Sequence, residues 1–171
     1  MGIQNWFERT AGDWRSERRY AYLERLSDKA GMVKKTDQIS TAFTVGFDPT
    51  TQHEEFVTTI KWQSEGEDGQ VSDGEMRCRG VHNQNGWQLQ RDIGYFSDNA
   101  TVSELQLLDE DTVVMTTSYG GATYREEIRL MFNDMVRLRQ TIGHKTGESM
   151  PFLCGQYYEI RTNKSEEAIV D

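Results

Sequence analysis

The stretch TYREEIRLMFNDMVRLRQTIG, from Thr123 to Gly143, predicts two β-strands joined by a tight loop. In its first half Ile128, Leu130 and Phe132 alternate with more polar positions, and in its second half apolar residues alternate with arginines. Alternation with a period of two indicates a strand that buries one face. The stretch therefore favours a β-hairpin in which a row of charged side chains accompanies the apolar row.

The register of this hairpin follows from the rule that directly opposed residues in an antiparallel pair point to the same face. A two-residue turn would place Arg129 opposite Leu138 and mix the apolar and charged faces. A three-residue loop, 133–135, instead pairs Leu130 with Leu138 and keeps the apolar row intact, so we expect this register. It also places one carboxylate and three guanidinium groups on a common face: Glu127, Arg129, Arg137 and Arg139.

The pattern alone does not say whether this charged row points into the protein or away from it. Charge runs usually face water, and the residues by themselves favour that interpretation. The alternative is a barrel whose polar row points at a ligand.

Composition narrows the class of protein. The chain has 171 residues, enough for one domain with a sizeable core. Its formal net charge of −9 argues against a general binder of nucleic acid or anionic membranes, because such a protein needs a basic surface. A local cluster of arginines in an acidic chain instead suggests one selected anionic group, such as a ligand carboxylate.

The two cysteines, Cys78 and Cys154, form no metal-ligand pattern, so we expect two reduced thiols and no metal site. The N-terminus has no apolar signal core, and no stretch is long enough to span a bilayer. These features predict a soluble cytoplasmic or stromal protein.

The rest of the chain predicts a mainly β protein. One short helix is expected from Ile3 to Thr10, followed by eight to ten short strands in meander order. The segment from Trp14 to Leu26 begins as a strand, and a helix over 20–26 stays open. Closure into an up-and-down barrel would remove the sheet edges and could hold one ligand. We expect one domain over residues 1–162 and a disordered acidic tail over 163–171.

Four segments in a fixed order resemble a known family: WFERTAGDWRSERR, GWQLQRDIGY, TYREEIRLMFNDMVRLRQT and YYEIR. Together they resemble the phycobiliprotein lyases of the CpcS/CpeS (S/U) type, over about residues 5 to 162. One departure is that Arg19, Tyr20 and Ala21 stand where that family often has a pair of histidines. The residues that match the family's motifs are Phe7, Glu8, Gly12, Trp14, Ser16, Arg18, Leu89, Arg91, Asp92, Gly94, Tyr95, Glu127, Arg129, Phe132, Arg137, Arg139, Glu159, Ile160 and Arg161.

The resemblance implies a lipocalin-like antiparallel barrel (a calycin), similar in shape to fatty-acid-binding proteins. Such a protein binds a free linear tetrapyrrole, phycocyanobilin or phycoerythrobilin, as its substrate and holds no permanent cofactor. It attaches this bilin through a thioether to a cysteine of a phycobiliprotein subunit, in a cyanobacterial cytoplasm or a plastid stroma. A homodimer and a partner lyase subunit both stay open.

The resemblance also implies which residues form the site, with Glu127 and Arg137 at its centre. Arginines can clamp the propionates of a bilin, and a carboxylate can accept pyrrole N–H bonds or relay a proton. Under this interpretation the polar row of the hairpin faces the cavity. Further candidates for ligand contact are Arg139, Arg129, Trp62, Arg18, Tyr95 and Ser16.

For several of these residues, a structural role in the barrel is an alternative to ligand contact. Trp62 is as well explained by a core position as by a cavity wall, and Ser16 by a plain strand position. Trp14 is expected to plug the barrel floor. Arg18 would then either pack over that tryptophan or reach the ligand.

Two other functions stay open: a non-catalytic carrier of bilin or fatty acid, or chaperone of phycobiliprotein subunits, and an interaction module without a ligand. Glu127 and Arg137 favour the lyase, since a simple apolar carrier needs no carboxylate in its cavity, where burial is costly. The face on which Glu127 lies is therefore the discriminating observation.

Overall fold

A computed structural model describes residues 2–27, 30–50, 55–93 and 99–162. The predicted ligand contact Tyr95 and the predicted tail over 163–171 lie outside these residues. Within them, one short helix precedes ten strands: α1 (Ile3–Arg9), β1 (Gly12–Ser27), β2 (Ala30–Pro49), β3 (Glu55–Gly66), β4 (Val71–Asn83), β5 (Gly86–Arg91), β6 (Thr101–Leu107), β7 (Thr112–Tyr119), β8 (Ala122–Met131), β9 (Val136–Lys145) and β10 (Pro151–Arg161).

The strands form a closed up-and-down barrel. Each strand is antiparallel to its neighbours in the chain, and β10 pairs with β1 to close the sheet. The predicted mainly β barrel with an N-terminal helix is confirmed, and the segment from Trp14 to Leu26 is a strand throughout. Within the described ranges, no helix has the length and apolar character needed to cross a membrane.

Helix α1 closes one end of the barrel. Trp6 and Phe7 are buried in the main core, and Trp6 Nε1 donates to the main-chain oxygen of Asp111 at 2.8 Å. The guanidinium of Arg9, at the end of the helix, lies 2.6 Å from Asp111 and 2.6 Å from Asp134. The helix is thus tied to two turns at this end, and the opposite end is left as the mouth.

Trp14 lies at the closed end, as the sequence predicts, and is 1% exposed. The arginine that packs most closely on it is Arg161, whose guanidinium carbon is 4.4 Å from the ring centroid. Arg18 instead lies over Phe43 and Tyr157, at 5.9 and 5.5 Å. Of the two alternatives for Arg18, packing over Trp14 is therefore wrong, because Arg18 lies further toward the mouth, where it lines the cavity.

The hairpin of β8 and β9 has a different register from the predicted one. Arg129 lies opposite Leu138, and Leu130 lies opposite Arg137. This is the pairing that the sequence analysis rejects because it mixes apolar and charged side chains on each face. The expected register is therefore wrong.

The turn that sets this register spans residues 132–135 and is held from outside the hairpin. Phe132, Asn133 and Asp134 have φ of 53, 54 and 65°, a left-handed conformation that is uncommon outside glycine. The side chain of Asp134 binds Arg9, and its main-chain oxygen accepts a bond from Arg161 Nε at 2.9 Å. Asn and Asp adopt this conformation more readily than other side chains, whereas Phe does not, and these long-range contacts stabilise the turn as a whole.

In this register β9 turns its charged side chains inward and its leucine outward, the reverse of the usual pattern, and we call this an inverted polarity. Arg137, Arg139 and Thr141 point into the barrel and are buried, whereas Leu138 points outward and is 40% exposed. Strand β8 has the usual polarity, with Ile128 and Leu130 buried inside. The predicted common polar face does not exist: Arg137 and Arg139 lie inside, and Glu127 and Arg129 lie outside.

Candidate functional site

A cavity of about 710 Å³ extends from the barrel interior to the mouth opposite α1. This volume lies within the range of about 300–1,000 Å³ that small-molecule sites occupy. Its lining has three parts: the guanidiniums of Arg18, Arg137 and Arg139 at depth, the rings of Tyr20, Tyr22, Phe43, Trp62 and Tyr157 on the walls, and Lys35, Asp37, Glu67 and Asp68 toward the mouth.

The first of two buried charge clusters holds Arg137. Glu159 is fully buried behind this arginine and accepts a bond from Arg137 Nε. Its other carboxylate oxygen accepts a bond from Ser16 Oγ at 3.1 Å, and Ser16 Oγ accepts one from Arg18 Nε at 3.2 Å. Strands β1, β9 and β10 thereby fix the two arginines at the cavity wall through one carboxylate and one hydroxyl.

The second cluster holds Arg139. Glu126 is buried and accepts bonds from Arg139 and, at 3.3 Å, from Thr141 Oγ1. Its other oxygen lies 3.5 Å from Arg91 Nη2. Since a cluster of this kind is costly to bury unless its geometry is well satisfied, its presence points to a use for the buried charges beyond stability.

An aromatic pair joins this cluster to the wall. Tyr20 donates from its hydroxyl to that of Tyr157 at 3.0 Å, and Thr141 Oγ1 also lies 3.3 Å from the Tyr157 oxygen. Burial raises the pKa of Tyr157 well above its usual value, an effect that the charge of Arg139 only partly offsets. Tyr157 is therefore neutral at physiological pH and offers a ring and a hydroxyl to a ligand.

Both buried carboxylates are ionised at neutral pH. Burial raises the pKa of Glu126, but the charges of Arg139 and Arg91 outweigh it, so the pKa lies below 4.5. The pKa of Glu159 is lowered in the same way, with Arg137 as the main partner opposing burial. The neighbouring guanidiniums thus keep these two groups as anions that orient the arginines.

The charges of this interior do not cancel. Three guanidiniums on the cavity lining, Arg18, Arg137 and Arg139, and the buried Arg91 behind it accompany two carboxylates, Glu126 and Glu159. These buried groups leave a surplus of two positive charges at depth, which Lys35 and the three carboxylates Asp37, Glu67 and Asp68 offset toward the mouth. Among the described residues Arg18 forms no ion pair with an acidic side chain. Such a site is complementary to a ligand that carries two carboxylates and a large planar apolar body.

Four of the sequence-predicted site residues line the cavity: Arg18, Trp62, Arg137 and Arg139. Trp62 lies directly over Gly74 of β4, where any side chain would collide with its ring. Ser16 lies behind the wall, where it bridges Glu159 and Arg18.

Two predicted site residues lie on the outer surface instead. The side chain of Glu127 is 42% exposed and pairs with Arg125 at 3.4 Å, and that of Arg129 is 52% exposed and pairs with Asp109 at 3.1 Å. The expectation that these two residues face the cavity is wrong. The register of β8 points them away from it, beside Leu138.

Sequence reasoning missed the carboxylates that do lie inside, Glu126 and Glu159, and also the inward position of Arg91. The sequence does indicate the inward position of Glu126, because Glu126 has the same strand parity as the buried Ile128 and Leu130. Glu159 likewise has the parity of Tyr157. Arg91 and Asp92 are adjacent and therefore point to opposite sides, and Arg91 is the buried one, while Asp92 is exposed.

A closed antiparallel barrel, plugged by an N-terminal helix and lined by arginines and aromatic rings, is a barrel of the lipocalin-like class. The chain belongs to the family described as CpeS-like protein, whose model matches residues 2–162. The structure of the S-type phycobiliprotein lyase CPES from Guillardia theta has the same fold, with a TM-score of 0.71 over 95% of this chain and 93% of that one, at 16% identity.

Two curated relatives match a shorter segment. "Putative chromophore lyase CpcV" of Picosynechococcus sp. is 33% identical over 73 residues, which cover 43% of this chain and 35% of the relative. "Putative phycocyanobilin lyase CpcS 2" of Nostoc sp. is 32% identical over 73 residues, which cover 43% of this chain and 39% of the relative. The match thus spans between a third and two fifths of each relative's length.

Proposed function

We propose that this protein is a bilin lyase, which binds phycocyanobilin or phycoerythrobilin as a substrate and joins it through a thioether to a cysteine of a phycobiliprotein subunit. Membership of the CpeS-like family and the names of the relatives support this class of reaction. The proposed setting is a cyanobacterial cytoplasm or a plastid stroma. The observation that carries the proposal is the surplus of two positive charges in the deep part of the cavity, away from the acidic mouth, because a bilin has two propionates.

Binding follows from the chemistry of the lining. Arg18 and Arg137 present guanidiniums that can bind a propionate with two parallel hydrogen bonds. Trp62 offers a ring face on which a pyrrole ring can stack. Of the three carboxylates on the lining, Asp37 is half-buried and Glu67 and Asp68 are exposed, so Asp37, which also pairs with Lys35 at 2.7 Å, is assigned the pyrrole N–H bonds. This assigns to Asp37 the contact that the sequence analysis gives to Glu127.

The reaction is an addition in which nothing leaves. The thiolate of the acceptor attacks the ethylidene carbon of the bilin, a C–S bond forms, and the C=C bond becomes a C–C bond as a neighbouring bilin carbon takes up a proton. The chain contributes orientation, because it holds an extended and flexible molecule in one pose. Glu126 and Glu159 are positioning residues in this scheme, since each acts through an arginine.

The nucleophile belongs to the acceptor. Cys78 is buried, and burial raises the pKa of its thiol to about 12, so it is protonated at neutral pH. Cys154 is only partly buried, but it has the outward parity of β10, between the inward Leu153 and Gly155. Neither thiol is suited to carry the bilin.

A non-catalytic bilin carrier is the second candidate. It is favoured by the outward position of Glu127, the carboxylate that discriminates the lyase from a carrier in the sequence analysis. It is also favoured by the lowered pKa of Glu126 and Glu159, because an ionised carboxylate cannot donate a proton to the bilin. The acceptor or solvent would then supply the proton, and this protein would act only by presenting the bilin.

The reaction is tested by co-expressing the protein with a bilin-producing pathway and with each phycobiliprotein subunit in turn. A zinc-enhanced fluorescent band at the acceptor on a denaturing gel, dependent on this protein, is the expected result. If bilin purifies with this protein but no acceptor becomes labelled, the carrier is correct. If no bilin is retained and no acceptor is labelled, the proposal fails.

The inner carboxylates are tested by the neighbouring pair of variants Glu126→Gln and Glu127→Gln. Glu126→Gln should reduce attachment by about 10- to 100-fold, because Arg139 loses the charge that orients it. Glu127→Gln is the matched control and should label the acceptor normally, since its side chain faces outward. The reverse outcome would return Glu127 to the site and overturn the assignment of Glu126.

A further inference from the structure

Two inward glycines of β4 lie directly opposite aromatic residues of β3. Gly74 is paired with Trp62, and Gly80 is paired with Phe56. Directly opposed residues of an antiparallel pair share a face, so each ring can extend over the position where its glycine has no side chain. Both rings do so, because a Cβ added to either glycine would come closer than 3.0 Å to three atoms of the ring opposite it.

The face of the Trp62 indole, and not its edge, covers Gly74. A Cβ built on Gly74 would lie closest to Cζ2 of the ring, and the two neighbouring atoms, Cε2 and Cη2, would be almost as close, at 2.8 and 2.9 Å. An approach along the edge of the ring would leave these neighbours well behind the nearest atom. The indole therefore lies flat on β4, with one face on Gly74 and the other toward the cavity.

The lining of the cavity agrees with this arrangement. Ser72 and Met76, the inward residues on either side of Gly74 along β4, both line the cavity, but Gly74 itself is not part of the lining. Trp62 lines the cavity in its place. The indole thus forms the wall at the point where β4 has no side chain of its own, and its free face is available for stacking.

Trp62 belongs to a row of rings that crosses four neighbouring strands. The strand pairing sets Trp14 beside Phe43, Phe43 beside Trp62, and Trp62 beside Gly74. Trp14 and Phe43 are stacked, with 10° between their planes and 6.5 Å between their centroids, and Arg161 covers Trp14 from β10 at 4.4 Å. Packed rings therefore fill the row on one side of Trp62, and the glycine leaves the position on its other side open.

We propose that Gly74 is a positioning residue of the bilin site, which holds Trp62 flat on the wall so that its free face can stack on a pyrrole ring. This inference rests on the proposed function, because it names the residue that sets one contact of the bilin. A side chain at position 74 would push the indole toward the cavity. The ring would then occupy space that a planar ligand needs and would no longer offer it a flat face.

Gly80 provides a comparison, because its aromatic partner has no cavity beside it. Phe56 is fully buried and packs on Phe7 and Trp87, with ring centroids 4.7 and 5.9 Å apart. A side chain at Gly80 would therefore overpack the core, which is destabilising. The two glycines make the same kind of contact, but only at Gly74 does the covering ring face a binding cavity.

The placement of Trp62 is tested in Gly74→Ala without any bilin. The emission of Trp62 is obtained by subtracting the spectrum of Trp62→Leu from that of wild type, and that of Trp62→Leu/Gly74→Ala from that of Gly74→Ala. In Gly74→Ala the Trp62 emission should shift to longer wavelength and be quenched more strongly by acrylamide, because the displaced indole stands in a cavity that opens at the mouth. Unchanged emission and quenching overturn the proposal.

The consequence for the ligand is measured by titrating the protein with phycocyanobilin and with phycoerythrobilin. Gly74→Ala should raise the dissociation constant about 3- to 10-fold, the effect expected from the loss of one aromatic stacking contact. If wild type binds neither bilin, the proposed function fails and this inference fails with it. If wild type binds and Gly74→Ala binds equally well, only the inference fails.

A double-mutant cycle separates displacement of Trp62 from any other effect of Gly74. In the Trp62→Leu background no ring covers position 74, so adding Gly74→Ala should change the bilin dissociation constant by less than about twofold. An effect as large as in the wild-type background would mean that Gly74 acts independently of Trp62, and the proposal would be wrong.

The matched controls are alanine substitutions at two other strand glycines. A Cβ added at Gly46 meets no atom closer than 3.8 Å, so Gly46→Ala should match wild type in emission, bilin binding and stability. Gly80→Ala should lower the melting temperature by about 5 °C and Gly74→Ala by less than about 2 °C, because only the Trp62 ring has space to move. A Gly74→Ala protein as unstable as Gly80→Ala would show that Trp62 is fixed in the core, which contradicts the proposal.

Discussion

Strands β8 and β9 belong to one hairpin, yet they bury opposite kinds of residue. Strand β8 turns Ile128 and Leu130 inward and Glu127 and Arg129 outward. Strand β9 turns its arginines inward and leaves Leu138 exposed. Directly opposed residues share a face, so the interior contains both leucine and arginine side chains.

The difference shows what an inverted strand requires. An arginine at an inward position is tolerated because another strand supplies a buried acid, Glu159 for Arg137 and Glu126 for Arg139. Hydrophobic burial alone would favour the opposite orientation of β9. Places where a protein departs from its hydrophobic pattern are expected at functional sites, and this departure lines the cavity.

The largest expected effect is a difference in lost stability between two substitutions, one at the inward Arg137 of β9 and one at the outward Arg129 of β8. Arg137→Leu should lower the free energy of unfolding by about 3 kcal/mol, because Glu159 loses its main partner while buried. Arg129→Leu should change it by less than about 0.5 kcal/mol, since its pair is exposed. Urea denaturation at neutral pH measures both changes.

The double variant Arg137→Leu/Glu159→Leu should recover part of the loss, because it removes the uncompensated charge as well. If Arg129→Leu proves as destabilising as Arg137→Leu, the two strands do not differ in the way their polarity indicates.

A somewhat smaller contrast concerns the apolar residues of the same two strands. Ile128→Ala should lower the free energy of unfolding by about 2–4 kcal/mol, because the side chain is 3% exposed in the core. Leu138→Ala should cost less than about 1 kcal/mol, because much of its surface is already in water. Thermal or urea unfolding of dilute samples gives the comparison, and equal costs would indicate that Leu138 is buried in solution.

The smallest effect is a dependence on pH to which the inward carboxylates Glu126 and Glu159 contribute. The folded-state pKa values of Glu126 and Glu159 lie below the ordinary 4.5. These groups therefore stabilise the fold above the unfolded pKa and lose that contribution as pH falls through the folded pKa.

The stability of wild type should thus decline below about pH 4.5, and that of Glu159→Gln should decline less. Glu127→Gln should follow the wild-type curve, since the exposed carboxylate contributes little. Urea denaturation between about pH 7 and about pH 3 distinguishes the variants. A parallel decline in all three proteins would mean that Glu159 is not paired in solution.

Much of the fold could be predicted from the sequence, because a strand leaves a local signature. The turn signals and alternating segments predict the strands from β1 to β10, and the break at Gly12 separates them from the helix. The register of the central hairpin could not be predicted in the same way. It depends on contacts that Asp134 makes with Arg9 and Arg161, which are more than 25 residues away.

The candidate site, like the fold, could be predicted from the sequence only in part. Family resemblance pointed to Arg18, Trp62, Arg137 and Arg139, and all four line the cavity. The same resemblance pointed to Glu127, although its neighbour Glu126 lies inside. Adjacent residues on a strand point to opposite faces, so an error of one position moves a side chain from the cavity to the surface.

The sequence by itself determined the barrel, its helical plug and the set of charged residues from which a site could be built. Those properties follow from local alternation, turn residues and composition, which each segment carries independently of the others. Only the tertiary structure decided which carboxylates face which arginines, because β1, β8, β9 and β10 must close around a common interior before Glu126 and Glu159 meet their partners. The pairing is a property of the closed barrel, and its physical basis is the cost of burying a charge without an opposite one beside it.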